Sequence, residues 1–423
     1  MRRLPCDVLV IGSGPAGLAA ALRAREAGAG RVVVVERNAE LGGILPQCIH
    51  NGFGLHIFQS DLTGPEYAGR WIRRAQGAGV EFLTRTMVLE LNPDLTAIAA
   101  NGRLGLVEVS AKAIVLATGC RERPRGALAI PGSRPAGVYT AGTAQRLVNM
   151  EGYMPGRRFV ILGSGDIGMI MARRLTLEGA EVAAVVEILP YVSGLRRNVV
   201  QCLHDFQIPL YLCTTVTEVL GRERVEAVRL SQVDAQWRPL PETQRELACD
   251  TLLLSVGLIP ENELSRRAGV EMDPITGGPV VDERFATNIP GIFAAGNALH
   301  VYDLVDWVTE SALRAGQSAA EYACHGPRPA SRALPVVAGE NVRHVVPQRV
   351  HADAVAEGGV QLECRARQPM EEAVRAEVLA GDKVLLSQRL RYARPSEMIV
   401  LPLEASLAPR LAEAEALQVR IVR

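Results

Sequence analysis

The sequence carries no excess of charge of either sign: its 423 residues hold 46 basic and 46 acidic side chains. That balance leaves no electrostatic footprint for a nucleic acid or an anionic membrane. Long hydrophobic runs are also missing. The longest, such as residues 32–35 and 113–117, are strand-sized and far short of a membrane span. The first apolar run reads as a β-strand rather than a secretory leader. The eight cysteines, at positions 6, 48, 120, 202, 213, 249, 324 and 364, form no CxxC pair and no metal-ligand spacing. They read as thiols of a reducing cytoplasm, and neither an iron–sulfur cluster nor a zinc site is expected.

What is present is a repeat. Gly12-Ser13-Gly14-Pro15-Ala16-Gly17 returns 151 residues later as Gly163-Ser164-Gly165-Asp166-Ile167-Gly168. Each copy follows a buried-strand pattern, 8–11 or 159–162, and precedes a helical stretch, 18–27 or 169–178. Each is answered by an acid at the end of the next β-branched run, Glu36 and Glu187, which also lie 151 residues apart. A single GxGxxG is weak evidence of a nucleotide site, whereas two in register with their strands, helices and acids are strong.

The chemistry explains the residue types. The first glycine permits a tight turn, the second lets a pyrophosphate reach the backbone, and the third lets helix and strand pack closely. The phosphates then meet unpaired N–H groups at a helix N-terminus. Glu36, with Arg37 beside it, and Glu187 accept hydrogen bonds from ribose hydroxyls and repel a 2′-phosphate, which favours NAD over NADP at the second loop. Arg196 and Arg197 stand some way downstream as cations able to meet a phosphate. Two further strands end in glycine, 113–117 before Thr118-Gly119 and 252–256 before Gly257. Such ends suit close approach of a ligand to the backbone. An α/β fold with two Rossmann-like domains, binding two dinucleotides, follows from this pattern.

The order of these loops and strand ends, closed by Pro290-Gly291-Ile292-Phe293-Ala294-Ala295-Gly296-Asn297, resembles the two-dinucleotide-binding-domain flavoproteins of the glutathione-reductase-like superfamily. The resemblance spans roughly residues 5–325. It implies FAD on the first loop, with Gly43, Thr118, Gly119, Gly296 and Asn297 completing that site, and NAD(H) on the second. It also implies an NAD-binding domain (126–258) inserted between two parts of the FAD-binding domain (1–125 and 259–328). Residues 329–423 remain as a C-terminal β module for partner or subunit contact, with strands expected at 360–366, 373–380, 383–390 and 397–403.

Two departures from the family pattern carry information. The final motif usually ends in Asp, and Asn297 can still hydrogen-bond a hydroxyl but adds no charge. Where disulfide reductases carry a CxxxxC redox pair, this chain has Leu45 and His50 with Cys48 alone between them, which disfavours an internal dithiol. Segments 43–56, 62–68 and 296–306 resemble a narrower group, the oxidoreductases encoded beside glycerol-3-phosphate-dehydrogenase-like flavoproteins. Thr118 to Pro124 resembles the α subunits of sarcosine and opine oxidases, proline dehydrogenase and hydrogen cyanide synthase.

These resemblances imply a flavoprotein exchanging hydride with NAD(H) and acting on a small hydroxy or amino compound. The partner they imply is a second flavoprotein subunit or another copy of the chain. An α subunit of an amine, opine or proline dehydrogenase, and an FAD-bound scaffold with a vestigial NAD site, are the alternatives. His50 is the candidate general base, by its place in the segment and its ordinary titration range. The alternative is a histidine that only bonds its own loop. Cys48 is either a thiolate facing the flavin or a buried thiol; His56 and His300 have weaker claims. Residues 301–307 read as a loop feeding a helix capped by Thr309 or Ser311, whose dipole the resemblance aims at the flavin. Asp303, Asp306 and Glu310 are then substrate contacts or plain dipole partners.

Overall fold

The computed structural model describes residues 2–329, 331–411 and 413–423. The chain divides into two compact units, one formed by Met1–Pro46, Asn51–Cys120 and Pro260–Arg423, the other by Gln47–His50 and Arg121–Ile259.

The first unit opens with β1 (Arg2–Ile11), α1 (Pro15–Glu26) and β2 (Val32–Val35), and reaches β3 (Gly105–Leu116) after five short strands and a helix. Strand β1 pairs in parallel with both β2 and β3. Val8 to Ile11 and all four valines of β2 are buried, as their unbroken apolar run requires of a parallel strand covered on both faces. Proline at the first helical position suits α1, because the missing N–H would be unpaired there in any case. The helix ends before Gly28, which takes the positive φ (98°) that L-residues avoid.

The second unit repeats the plan with β4 (Arg158–Leu162), α2 (Asp166–Leu177), β5 (Glu181–Val186) and β6 (Thr251–Leu254). Strand β4 lies between β5 and β6, all parallel, with apolar cores on both sides of the sheet. Gly179, 151 residues after Gly28, ends α2 with φ 86°.

The chain then returns to the first unit with β7 (Ile292–Ala294), parallel to β3, and the long helix α3 (Val305–His325). Alanine faces bring α1 and α3 so close that a Cβ at Gly316 would lie 2.3 Å from the Ala20 carbonyl oxygen. Neither Thr309 nor Ser311 caps α3. The N-cap is Leu304, while Thr309 and Ser311 are fully buried inside the helix. Thr309 shares a hydrogen bond with the Tyr67 hydroxyl (2.7 Å), and Ser311 donates to the Val308 carbonyl (3.0 Å).

Residues after 331 build two sheets around their own core. One has five strands in the order Arg349–His351, Ala333–Ala338, Leu417–Val422, Val374–Ala380, Lys383–Leu390. The other sets β8 (Val360–Ala366) between Val342–Val346 and Ile399–Leu403. Two of the four strands expected here begin one or two residues later than the sequence suggested, and four more join them. Among the described residues no helix is long and apolar enough to cross a membrane.

A further grouping joins this region to the nucleotide core of the same unit. Asp282, Glu283 and His351 bring their ligand-type atoms within 4.8 Å of one another. His351 Nδ1 lies 3.2 Å from both Glu283 oxygens, and Asp282 accepts the backbone N–H groups of Arg284 and Ala286. Burial, with the Glu283 charge added, pushes the Asp282 carboxyl up to about 6. A carboxyl raised in the folded state contributes stability while protonated and loses it as pH rises from the unfolded value through about 6. Asp282→Asn keeps both backbone bonds and removes the charge. Urea unfolding should therefore show the variant more stable than wild type by about 3 kcal/mol at pH 8. Near pH 4 the gap should close, and equal stabilities at pH 8 would refute this account.

Candidate functional site

Both glycine loops are shaped for a phosphate before any ligand is considered. Gly12 has φ 105°, and a Cβ there would meet the Ala117 carbonyl oxygen at 2.4 Å; Gly163, φ 100°, would meet that of Ser255 at 2.1 Å. The first glycine of each loop thus lets it lie on the next strand's end. At Gly17 an added Cβ would sit 1.8 Å from the Gly12 carbonyl oxygen, and at Gly168 2.8 Å from Ser255. The middle glycines differ in kind. A Cβ at Gly14 would meet nothing nearer than 3.9 Å and one at Gly165 nothing nearer than 3.5 Å. Their outward faces are open, and each is the N-cap of the helix that follows. These cradles fit the pyrophosphate of a dinucleotide.

The acids hold the loops. Glu36 is buried, and its Oε2 accepts from Ser13 N–H (3.0 Å) and Ser13 Oγ (2.7 Å) while Oε1 accepts from Asn38 N–H (2.8 Å). Glu187, equally buried, takes Ser164 N–H (2.9 Å), Ser164 Oγ (2.5 Å) and Ser193 Oγ (3.0 Å) on Oε2, and Leu189 N–H (3.0 Å) on Oε1. The serine within each glycine loop is the residue sequence reasoning passed over. Its signal was present, since Gly-Ser-Gly occurs in both copies. Carboxylate oxygens have lone pairs beyond these bonds for ribose hydroxyls.

A second glycine closes each cradle. Gly43 (φ 61°) lies against Gly14, where its Cβ would come 2.7 Å from the Gly14 Cα. Gly194, again 151 residues on, abuts Asp166 N at 2.8 Å by the same construction. Asp166 turns its Oδ1 to Leu195 N–H (2.8 Å) and Asn198 Nδ2 (2.6 Å). Arg196 and Arg197, both exposed, therefore follow directly from the segment tied to the helix start, rather than lying beyond Glu187. Ile167 and Pro15 are half-buried, Ala16 is buried, and Arg37 is exposed.

The other residues that the sequence assigns to the first site lie in the same unit as Gly12 to Gly17. Thr118 Oγ1 donates to the Glu261 carbonyl (2.7 Å), and Gly119 takes φ 71° with open space around its α-carbon. A Cβ on Gly296 would meet the Ala16 Cβ at 2.7 Å, so the third motif lies directly on the start of α1. Asn297 Oδ1 accepts Tyr302 N–H (3.0 Å), which turns its Nδ2 toward Cys120 Sγ (3.5 Å).

Asp303 and Asp306 have structural partners. Asp303 pairs with Arg365 (3.1 Å), and the buried Asp306 accepts the backbone N–H groups of His56 and Ile57 at 3.4 Å each. His56 stacks on Trp307, with ring centroids 5.7 Å apart. Glu310 is held above the usual carboxyl range, chiefly by burial.

Gln47 to His50 group with the second unit. Gln47 Nε2 donates to the Gly142 carbonyl and to Gln145 Oε1, both at 2.9 Å, and Asn149 Nδ2 donates to the Gln47 carbonyl (2.8 Å). Cys48 is buried beside Gln145 Oε1 (3.8 Å), and burial pushes its thiol up to about 12. It is a protonated thiol rather than a thiolate. His50 is half-buried. Cys48→Ser should keep activity within about twofold, and iodoacetamide should not label Cys48 at pH 8. Rapid labelling there, or loss of the flavin's activity in the serine variant, would restore the thiolate.

Residues 6–319 match the family model described as pyridine nucleotide-disulphide oxidoreductase. The chain belongs to this family. Members of this oxidoreductase family are FAD enzymes that use a nicotinamide dinucleotide. The benzene 1,2-dioxygenase system ferredoxin–NAD(+) reductase subunit of Pseudomonas putida is 30% identical over 80% of this chain and 77% of its own length. The chlorobenzene dioxygenase ferredoxin reductase component of Cupriavidus sp. (strain PS12) is 28% identical over 97% of this chain and 93% of its own. The opine oxidase A-subunit of Agrobacterium tumefaciens (strain Ach5) is 29% identical over 69% of this chain, which spans 61% of that relative's length. Among solved structures, T. acidophilum thioredoxin reductase superposes with TM-score 0.62 over 76% of this chain and 99% of its own, at 21% identity. That likeness shows the shared two-domain flavoprotein fold.

Proposed function

We propose that this family member is the FAD-dependent NAD(H) oxidoreductase subunit of a multi-component system, moving hydride equivalents between NAD(H) and a partner that acts on a small hydroxy or amino compound. One observation carries the reading: two loop-and-acid cradles of the same build stand in a chain that has Leu45 and His50, with Cys48 alone between them, where disulfide reductases carry their cysteine pair. With no internal dithiol to receive them, electrons entering at the nucleotide leave through the flavin. Enclosed by the protein, FAD supplies the two-electron chemistry.

The chain's own residues bind and orient. Gly12 to Gly17, Glu36, Gly43, Thr118, Gly119, Gly296 and Asn297 form the FAD cradle. Gly163 to Gly168 and Glu187 form the cradle for NAD(H), and the carboxylate of Glu187 disfavours a 2′-phosphate. His50, half-buried beside Cys48, is the proposed proton acceptor for a hydroxy or amino donor. Relatives that are subunits of oxidases and dioxygenase systems support a partner protein, and the opine oxidase relative favours an amine- or opine-oxidising partner as the second reading. The group associated with glycerol-3-phosphate-dehydrogenase-like flavoproteins is the hydroxy-compound version of the first.

Anaerobic mixing with NADH tests the proposal. The flavin absorbance at about 450 nm should bleach within about a second with NADH, at ordinary enzyme rates. Little bleaching should follow with NADPH, and a disulfide such as dithionitrobenzoate should not be reduced catalytically. Bleaching only when a partner and its substrate are added would favour the second reading. No bleaching under either condition would leave only a flavin-bound scaffold.

A further inference from the structure

The C-terminal β module reaches back into the loop that follows Asn297, chiefly with the strand β8. Glu363 and Arg365 lie on the same face of β8, two residues apart. Glu363 Oε2 accepts the Tyr302 hydroxyl (2.9 Å) and lies 3.1 Å from His300 Nε2. Arg365 donates to the Val301 carbonyl (3.0 Å), to Asp303 Oδ1 (3.1 Å) and to the Pro395 carbonyl (2.9 Å). Met398 N–H, from the same module, donates to Asp303 Oδ2 (3.4 Å). Residues 300, 301, 302 and 303 are thus each held by the module.

All the principal side chains are buried: His300 is 1% exposed, Tyr302 7%, Glu363 5% and Arg365 8%. Truncating one partner of such a network leaves another polar group unpaired in a low-dielectric interior, so its geometry is tightly enforced. His344, from the module's strand Val342–Val346, packs edge-on against the His300 ring (centroids 5.5 Å apart). Burial drives its pKa down to about 3, so it stays neutral and adds no cation beside Glu363.

The network ends on a residue of the FAD cradle. Tyr302 N–H donates to Asn297 Oδ1, and an N–H can meet only the oxygen end of that amide. The bond therefore decides which way the amide faces, leaving Nδ2, one of whose two hydrogens is turned toward Cys120 Sγ, as a donor. Asn297 follows Gly296, which lies on Ala16 at the start of α1.

We propose that Glu363 of the C-terminal module is a positioning residue for the flavin site, fixing Tyr302 so that Asn297 presents its NH₂ group, rather than its oxygen, to FAD. This gives the module a role inside the catalytic unit. The inference rests on the proposed function, since it needs FAD in the first cradle.

The test compares Glu363→Gln and Tyr302→Phe with Glu377→Gln. Glu377 is also a buried carboxylate of the module, 8% exposed, but among the described residues its side chain bonds Arg420 and Ser387 and not the loop at 300–303. Each full-length protein is stripped of flavin and titrated with FAD, following flavin fluorescence and the absorption spectrum. Glu363→Gln and Tyr302→Phe should each raise the dissociation constant on the order of tenfold and shift the flavin bands. Glu377→Gln should bind FAD as wild type does, with an unchanged spectrum. Wild-type affinity and spectrum in both Glu363→Gln and Tyr302→Phe would overturn the proposal. So would a Glu377→Gln variant showing the same change, which would mean that any loosening of the module is felt. A wild-type chain that takes up no FAD would overturn the proposed function itself, an outcome distinct from both.

Discussion

Replacing Gly165 by alanine is expected to leave FAD in place while raising the KM for NADH on the order of a hundredfold, and Gly14→Ala is expected to do the reverse, yielding a folded protein without flavin. The argument rests on the empty space around these two positions. Neither has a positive φ: the backbone angles are −66° at Gly14 and −65° at Gly165. A methyl group therefore introduces no backbone strain. Neither methyl would strike protein, since the nearest atoms stand 3.9 and 3.5 Å away. What each would occupy is the face on which a pyrophosphate must approach the backbone. The two variants thus separate binding from folding. Flavin content is read from absorbance and KM from initial rates. Unchanged KM in Gly165→Ala, with flavin retained, would mean that NADH does not use the second cradle.

The third glycines should behave otherwise. At Gly17 the obstructing atom is the Gly12 carbonyl oxygen at 1.8 Å, part of a loop pinned on both sides and unable to give way. Gly17→Ala is expected to destabilise the first unit by more than about 3 kcal/mol, in the range of severe overpacking. At Gly168 the nearest obstruction is the Ser255 side chain at 2.8 Å, with the Gly163 carbonyl oxygen at 2.9 Å. Gly168→Ala should cost about 1–2 kcal/mol, as forcing a small shift in a packed site usually does. Thermal unfolding followed by flavin release for the first variant, and by tryptophan fluorescence with far-ultraviolet dichroism for the second, ranks the pair. Equal losses would show that the two loops do not differ in rigidity.

The parts of this molecule that could be read from its sequence are those whose causes are local. A strand, a glycine turn, a helix and an acid close together in the chain leave a pattern that one window contains, and the pattern occurs twice. Serine and threonine resemble caps in the sequence, which puts the start of α3 too late. The apolar spacing of Val305, Val308, Ala312 and Ala315 marks the true beginning, and it puts Thr309 and Ser311 inside the buried turns. The four unforeseen strands of the C-terminal module are short, and one of them contains Pro335, which lowers any strand reading. Glu363 lies 61 residues from Tyr302 and 63 from His300. Their sequences announce nothing to one another, and only the packing of β8 against the loop makes them partners. The attachment of Gln47 to Gln145 and Gly142 is of the same long-range kind.

The serine–glutamate bonds of the two loops have a kinetic meaning. Because Glu36 and Glu187 hold the Ser13 and Ser164 amides within the protein itself, each cradle keeps its shape whether or not a nucleotide lies in it. A ligand that must leave at every turnover then meets a preorganised surface on its return, with little ordering entropy still to lose. For the second unit, exchange of the nicotinamide dinucleotide proposed to bind there would become a matter of diffusion and contact alone. For the first, the same rigidity keeps the empty apoprotein ready to receive its flavin.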